Sequence, residues 1–378
     1  MGGRVTVRFP IGPFHPALEE PERFIVTVSG EEVVDVEVRI GYNHRGIEWL
    51  GERRHYLRNV ELAERICGIC SGTHTACYCQ AVEDLIGLEP PDRARYLRVL
   101  MLELERIHSH MLWAGIAMYE MGFELHFMHL WAERENVMDM LEALTGNRVN
   151  YAYLTPGGVR RDLDEKTRRI INERLPRVKR FLQNFMEVVT SDPTIRARSE
   201  GVGVLTREKA LELDVVGPTA RASGVDFDVR RDDPYAAYKE LSWNVVTRKE
   251  GAVMARILVR LEEILESISM VEQVLDALPG GPIISGEYTT PEPGAEAMGR
   301  TEAPRGELMH YLRSDGTDFP YRWKVRTPTL ANVQSVPAIL VGGTIAEIPV
   351  SLASIDLSLI HISEPTRPLY ISYAVFCL

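Results

Sequence analysis

Two cysteines, Cys67 and Cys70, stand two residues apart in Glu64-Arg-Ile-Cys-Gly-Ile-Cys-Ser-Gly-Thr-His74. Thiolates are the ligands that soft metals prefer, and a C-x-x-C loop can bring two of them onto one ion. Gly68 lets the backbone turn tightly between them. Arg65 adds positive charge nearby, which favours the thiolate form. The spacing alone suits half of a zinc knuckle, a redox dithiol or an iron–sulfur ligand pair. His74 lies four residues after Cys70, where it could hydrogen-bond a nearby sulfur or be satisfied by backbone. Cys77 and Cys79 are two apart on the helix that follows and read as ordinary small residues. A knuckle built from all four cysteines is the rival arrangement.

The elements that must position this loop are mostly helical. Ser71 could cap a helix running to about Leu85. Pro90-Pro91 then opens a longer helix, with Leu97, Leu100, Met101, Leu104, Ile107 and Met111 on one stripe. His108 and His110 sit on it two apart, so they do not share a face. Trp131 to Leu144 reads as a helix closed by Gly146. Glu165 to Val189 and Ala252 to Leu278 read as long amphipathic helices. Before the loop, Arg4 to Phe9, Phe24 to Val28 and Val34 to Ile40 read as strands, with Ser29-Gly30 as a turn. In the last of these Val34, Val36, Val38 and Ile40 share a face. Three prolines between residues 12 and 21 make a shaped loop. Short strands are expected around 323–326 and 339–341. The fold class is mainly α with a small N-terminal antiparallel sheet, α+β overall. Residues 1–45 form the small N-terminal region and 46–356 the helical body.

Composition narrows the function classes. The chain has 378 residues, and its net charge of −11 disfavours nucleic acid as a partner. Four of the five cysteines fall between 67 and 79, which is no secreted disulfide framework. A reducing, cytoplasmic setting suits free thiolates. No apolar run of about 18 residues exists and the N-terminus lacks a signal-peptide core, so membrane association has to come through partners.

The whole string resembles the first metal-binding motif of the nickel–iron hydrogenase large subunit. Three further blocks extend the resemblance: Gly12-Pro-Phe-His-Pro-Ala-Leu18, Gly157-Gly-Val-Arg-Arg-Asp162 and Glu302-Ala-Pro-Arg-Gly-Glu307. The likeness is to the membrane-bound, energy-converting branch, which is similar to the quinone-site subunit of complex I, the NADH-quinone oxidoreductase. It implies a catalytic subunit interconverting protons, electrons and dihydrogen, coupled to ion translocation by partners. The complex I likeness also carries quinone binding and NAD binding as expectations, with a non-catalytic coupling subunit as the alternative.

In that family four thiolates hold nickel and iron, and carbon monoxide and cyanide complete the iron shell. By resemblance Cys67 is a terminal nickel ligand and Cys70 a bridge. Arg305 hangs a guanidinium over the open metal position, although a surface ion pair is the commoner fate of an arginine. Glu20 relays protons, with Glu19 its rival by position. His15 lies near the gate to the membrane arm, or simply packs beside Pro16. Ser109 stands where many uptake hydrogenases carry an aspartate. Implied partners are an iron–sulfur small subunit, antiporter-like membrane-arm subunits and maturation proteins, on the cytoplasmic face of the membrane.

One departure stands out. Asp356 matches the aspartate that precedes the family's second C-x-x-C, but no such pair follows it. Instead Leu357-Ser-Leu-Ile-His-Ile-Ser-Glu-Pro-Thr-Arg367 resembles the translation of a sequencing-library adapter, and 371–378 the flow-cell adapter. Residues 357–378 are therefore expected to be a non-native tail that packs poorly. The chain, lacking two metal ligands, is expected to be inactive as it stands.

Overall fold

The computed structural model describes residues 6–15, Leu18 and 21–357. The chain begins with three antiparallel strands in sequential order, Thr6–Ile11, Arg23–Ser29 and Glu32–Arg39. Gly30 turns between the last two at φ 67°. The register slips there: Thr27 pairs with Asp35 but Val28 with Val33. This bulge leaves Val34 as the extra residue, so it faces solvent while Val33, Val36 and the partly buried Val38 face inward. Strict alternation had put Val34 inside. The inner face packs with Leu340, Ile348, Leu352 and Ile355 into a core of its own.

The larger core is helical. It is built on helices Ser71–Ile86, Asp92–Glu120, Glu124–Thr145, Glu165–Ser191 and Val253–Ala277. The Asp92 helix is the axis. Its stripe of Leu97, Leu100, Met101, Leu104, Ile107 and Met111 is fully buried, and it packs against the Glu124 and Val253 helices. Gly146 closes the Glu124 helix in the left-handed region, at φ 91°.

A second antiparallel sheet, Glu296–Ala303, Gly306–Ser314 and Pro320–Arg326, lies on the Ser71 helix. Gly299 lets it come that close, since a Cβ there would sit 2.0 Å from the Cys77 carbonyl oxygen. Only its last strand was legible in the sequence. The strand expected at 339–341 is instead the end of a short helix, Val336–Leu340, with Pro337 at its first turn. Among the described residues no helix is long and apolar enough to cross a membrane. Leu357 is buried in the smaller core, contrary to the poor packing expected of the tail's first residue. Residues 358–378 lie outside the described residues, and with them the rest of that expectation.

Candidate metal and proton site

The Cys67–Cys70 loop enters the Ser71 helix from a bend, with Cys70 at the N-cap. Both thiols are buried, and Cys70 Sγ donates to Cys67 Sγ at 2.9 Å. That hydrogen bond and burial hold the Cys70 thiol well above its ordinary pKa, with Arg305 acting the other way.

Three long-range contacts hold the loop. Arg45 donates to the carbonyls of Arg65 and Ile66, at 2.9 and 2.6 Å. His108 lies 3.0 Å from the Ile69 carbonyl, between the two cysteines. Glu105, from the Asp92 helix, accepts from the backbone N–H of Gly72 and Thr73 at 2.6 and 2.8 Å and from the Thr73 hydroxyl at 2.5 Å. Glu105 therefore satisfies the helix N-terminus, where Ser71 was expected to cap; Ser71 makes no cap hydrogen bond. Burial pushes the Glu105 carboxyl up to about 8, against those three donors.

Arg305 occupies the two-residue turn between Ala303 and Gly306, which pair across the hairpin. Gly217 gives this buried turn room, since a Cβ there would lie 2.4 Å from the Arg305 carbonyl oxygen. The guanidinium does not reach solvent as an ordinary ion pair would. It is 1% exposed. Its Nη2 lies 2.6 Å from Asp356 Oδ1, its Nε donates to the Asp356 carbonyl at 3.1 Å, and its Nη1 reaches Ser109 Oγ at 3.3 Å. Asp356 ends the helix Ile348–Ile355 in the left-handed region, at φ 62°. Arg260 steadies that end by donating to the carbonyls of Ser354 and Ile355, with its Nε 3.8 Å from Asp356 Oδ2. Arg305 thus pairs with Asp356 and lies within electrostatic reach of Cys70, although the three are far apart in sequence. Arg65 does not join them: its side chain is exposed and turns to Glu61 and Glu64. The charge beside the thiols is that of Arg305.

The histidines sort themselves by face. His74 does not have a sulfur as its partner here; its Nδ1 lies 3.2 Å from His310 Nε2, and Trp323 donates to His310 Nδ1 at 3.3 Å. That chain makes both histidines neutral, and burial pushes His74 down to about 3. His110 turns the other way, onto Glu263 at 2.9 Å. Glu263 continues through Arg221 into a buried ion network with Glu302 and Asp228. His15 is exposed on the proline loop, where its charge lowers the pKa of Glu120 that burial raises. Glu20 lies outside the described residues.

Cys77 donates to the Leu308 carbonyl at 3.5 Å, on the side of the second sheet, and burial pushes its thiol up to about 12. Among the described residues no three His, Cys, Asp or Glu side chains gather closely enough to hold a metal ion. A four-cysteine knuckle is therefore not formed. Cys67 and Cys70 fit one half of a four-thiolate set and do not close a coordination sphere on their own.

The family description "Respiratory-chain NADH dehydrogenase, 49 Kd subunit" matches residues 120–293 and 286–362, and "Nickel-dependent hydrogenase" matches 45–115. The membrane-bound hydrogenase subunit alpha of Pyrococcus furiosus is 43% identical, over 93% of this chain and 86% of its own. This chain belongs to the nickel-dependent hydrogenase and complex I 49 kDa subunit family. A second family member, the carbon monoxide-induced hydrogenase of Rhodospirillum rubrum, is 40% identical over 93% of this chain and 97% of its own. The membrane-bound sulfane sulfur reductase, an archaeal respiratory membrane complex of known structure, includes a chain with the family fold at TM-score 0.90. That chain is 36% identical, covering 95% of this one and 98% of its own. The hydrogenase match contains the thiol pair and the Glu105–His110 segment, whereas the complex I match contains Arg305 and Asp356.

Sequence reasoning passed over Glu105, Arg260 and His310. Glu105 left a faint signal, an acid beside the apolar stripe of a core helix. The other two carried none, because their partners are remote in sequence.

Proposed function

We propose that this chain is the large subunit of a membrane-anchored nickel–iron hydrogenase complex of the energy-converting type. The observation that carries the reading is the buried Cys67–Cys70 pair at 2.9 Å with the Arg305–Asp356 ion pair in its field. Cys67 and Cys70 contribute two of the four thiolates of such a centre; no second C-x-x-C follows Asp356 in this sequence, so this chain lacks the other two and is inactive as it stands. Such a centre, when bound, supplies the hydride chemistry. Arg305 keeps a fixed positive charge beside the reacting position, because a guanidinium does not deprotonate there. Asp356 and Ser109 hold the planar fork in one orientation, and Arg260 keeps Asp356 in place. Glu20 brings protons to the site, and His15 sits at the membrane-arm side. The named relatives are hydrogenases and a respiratory membrane complex, which supports membrane-arm and iron–sulfur partners and a peripheral place on the cytoplasmic face.

A second reading rests on the same pair. Two adjacent thiols without a third donor suit cleavage of a sulfur–sulfur bond, which consumes two electrons and two protons, and a solved relative is a sulfane sulfur reductase. A non-catalytic coupling subunit, like that of complex I, is the third reading. One experiment separates them. The whole complex of a homologue that carries the second C-x-x-C is purified with its maturation proteins, and its nickel content, hydrogen evolution and sulfide release from polysulfide are measured. Stoichiometric nickel with hydrogen evolution supports the hydrogenase. Sulfide release without nickel supports the second reading, and an assembled, metal-free complex inert in both assays supports the third.

A further inference from the structure

Tyr151 is buried and its hydroxyl lies 3.2 Å from His108 Nε2. The residues on either side of it are both in the left-handed region, Asn150 at φ 56° and Ala152 at φ 47°. Asparagine tolerates this region, but for alanine the backbone is strained and persists only where its surroundings hold it. Ala152 has an evident holder. Its N–H donates to Glu64 Oε1 in a very short hydrogen bond. Glu64 is 2% exposed and opens the thiol-bearing string. Its other oxygen meets Arg65 at 3.5 Å.

The hydrogen bonds fix the tautomer at the far end. Arg134 Nη2 lies 3.0 Å from His108 Nδ1, and a guanidinium can only donate. His108 Nδ1 is therefore an acceptor, and its proton sits on Nε2. That single N–H is shared between the Ile69 carbonyl at 3.0 Å and the Tyr151 hydroxyl oxygen. Tyr151 thus accepts from His108 and keeps its own O–H proton to give. Its surroundings are those of the thiol site, with Glu105, Cys70 and Cys67 all within electrostatic reach.

We infer that Glu64 is a positioning residue: by holding the Ala152 N–H it seats the Tyr151 hydroxyl on His108, and His108 ties this segment to the Ile69 carbonyl of the thiol loop. The inference rests on the thiol pair being the functional centre. Its test reads backbone protection rather than turnover, so it stands or falls separately from the hydrogenase reading.

Amide hydrogen exchange, read by mass spectrometry on the full chain, tests it with four variants. Glu64→Ala is expected to speed exchange in peptides covering 149–153 and 66–70 by roughly tenfold or more, since the strained segment loses its holder. Glu64→Gln keeps an accepting oxygen and should match the parent. The double variant Glu64→Ala/Ala152→Gly should recover most of the protection, because glycine adopts the left-handed region without strain. Tyr151→Phe should loosen 66–70 while leaving 149–153 protected. Two results would overturn the inference. One is Glu64→Gln behaving like Glu64→Ala, which would mean that Glu64 acts through its charge. The other is no protection regained in the double variant. Should Glu64→Ala fail to fold, Glu64→Gln and Tyr151→Phe decide the matter by the same readings.

Discussion

At Arg305 one ion pair and two hydrogen bonds leave one side chain in three directions, to the Asp356 carboxylate, the Asp356 carbonyl and Ser109. A lysine ammonium is a point donor and cannot reproduce that fork. In the nickel-loaded complex of a homologue that carries the second C-x-x-C, the change equivalent to Arg305→Lys should keep the metal content and lower hydrogen evolution by about 100-fold or more, as expected when a preorganised charge is misplaced. Near-parental evolution at equal nickel would remove Arg305 from the mechanism. Paired changes Cys77→Ser and Cys79→Ser should leave nickel content unchanged, and a loss of nickel would bring the four-cysteine arrangement back. Arg305 was legible in the sequence because its motif is local, and the thiol pair for the same reason. The charge assigned to Arg65 was misread because adjacency in sequence is not adjacency of side chains. The His74 partner was equally hidden, lying 236 residues away on a strand.

The helix behind the thiols owes its start to a carboxylate from a neighbouring helix. Glu105→Ala leaves two N–H groups and a hydroxyl without acceptors, which should cost about 1–3 kcal/mol. A denaturant midpoint indistinguishable from the parent would show that water replaces the carboxylate freely. In the first sheet the bulge makes a paired forecast. Val33→Ala should cost about 2 kcal/mol as a core truncation, whereas Val34→Thr should stay within about 0.5 kcal/mol as a surface change. Equal costs would restore simple alternation. The long helices were legible because the 3.6-residue period of the Asp92 stripe needs only local information. The bulge was not, because a strand's register depends on its partner. The second sheet was half hidden, because Glu296–Ala303 is buried against a helix that begins more than two hundred residues earlier.

At the scale of the molecule, four buried histidines among the described residues resist protonation. Burial pushes His74 down to about 3 and His110 to about 4, and holds His108 and His310 well below their ordinary 6.5. At these histidines the unfolded state binds more protons than the folded one below about pH 6.5, so the stability they carry is present above that pH and is lost as pH falls, while Glu105, raised to about 8 in the fold, opposes part of the loss. The urea midpoint should drop steeply between pH 6.5 and 4. Replacing His110 by Gln should lower the slope by up to one proton, about 1.4 kcal/mol per pH unit. An unchanged slope would mean that His110 is already charged in the fold. The thiols themselves have a consequence for kinetics. With Cys67 and Cys70 only 2% and 3% exposed, an incoming ion meets a closed door, and uptake has to wait for the loop to open. The loading rate should therefore rise with metal concentration only to a ceiling, the opening rate itself, and sub-denaturing urea should raise that ceiling. Stopped-flow mixing with excess cobalt would read it: a rate that climbs in proportion to cobalt without limit would mean that the pair is already open to solvent.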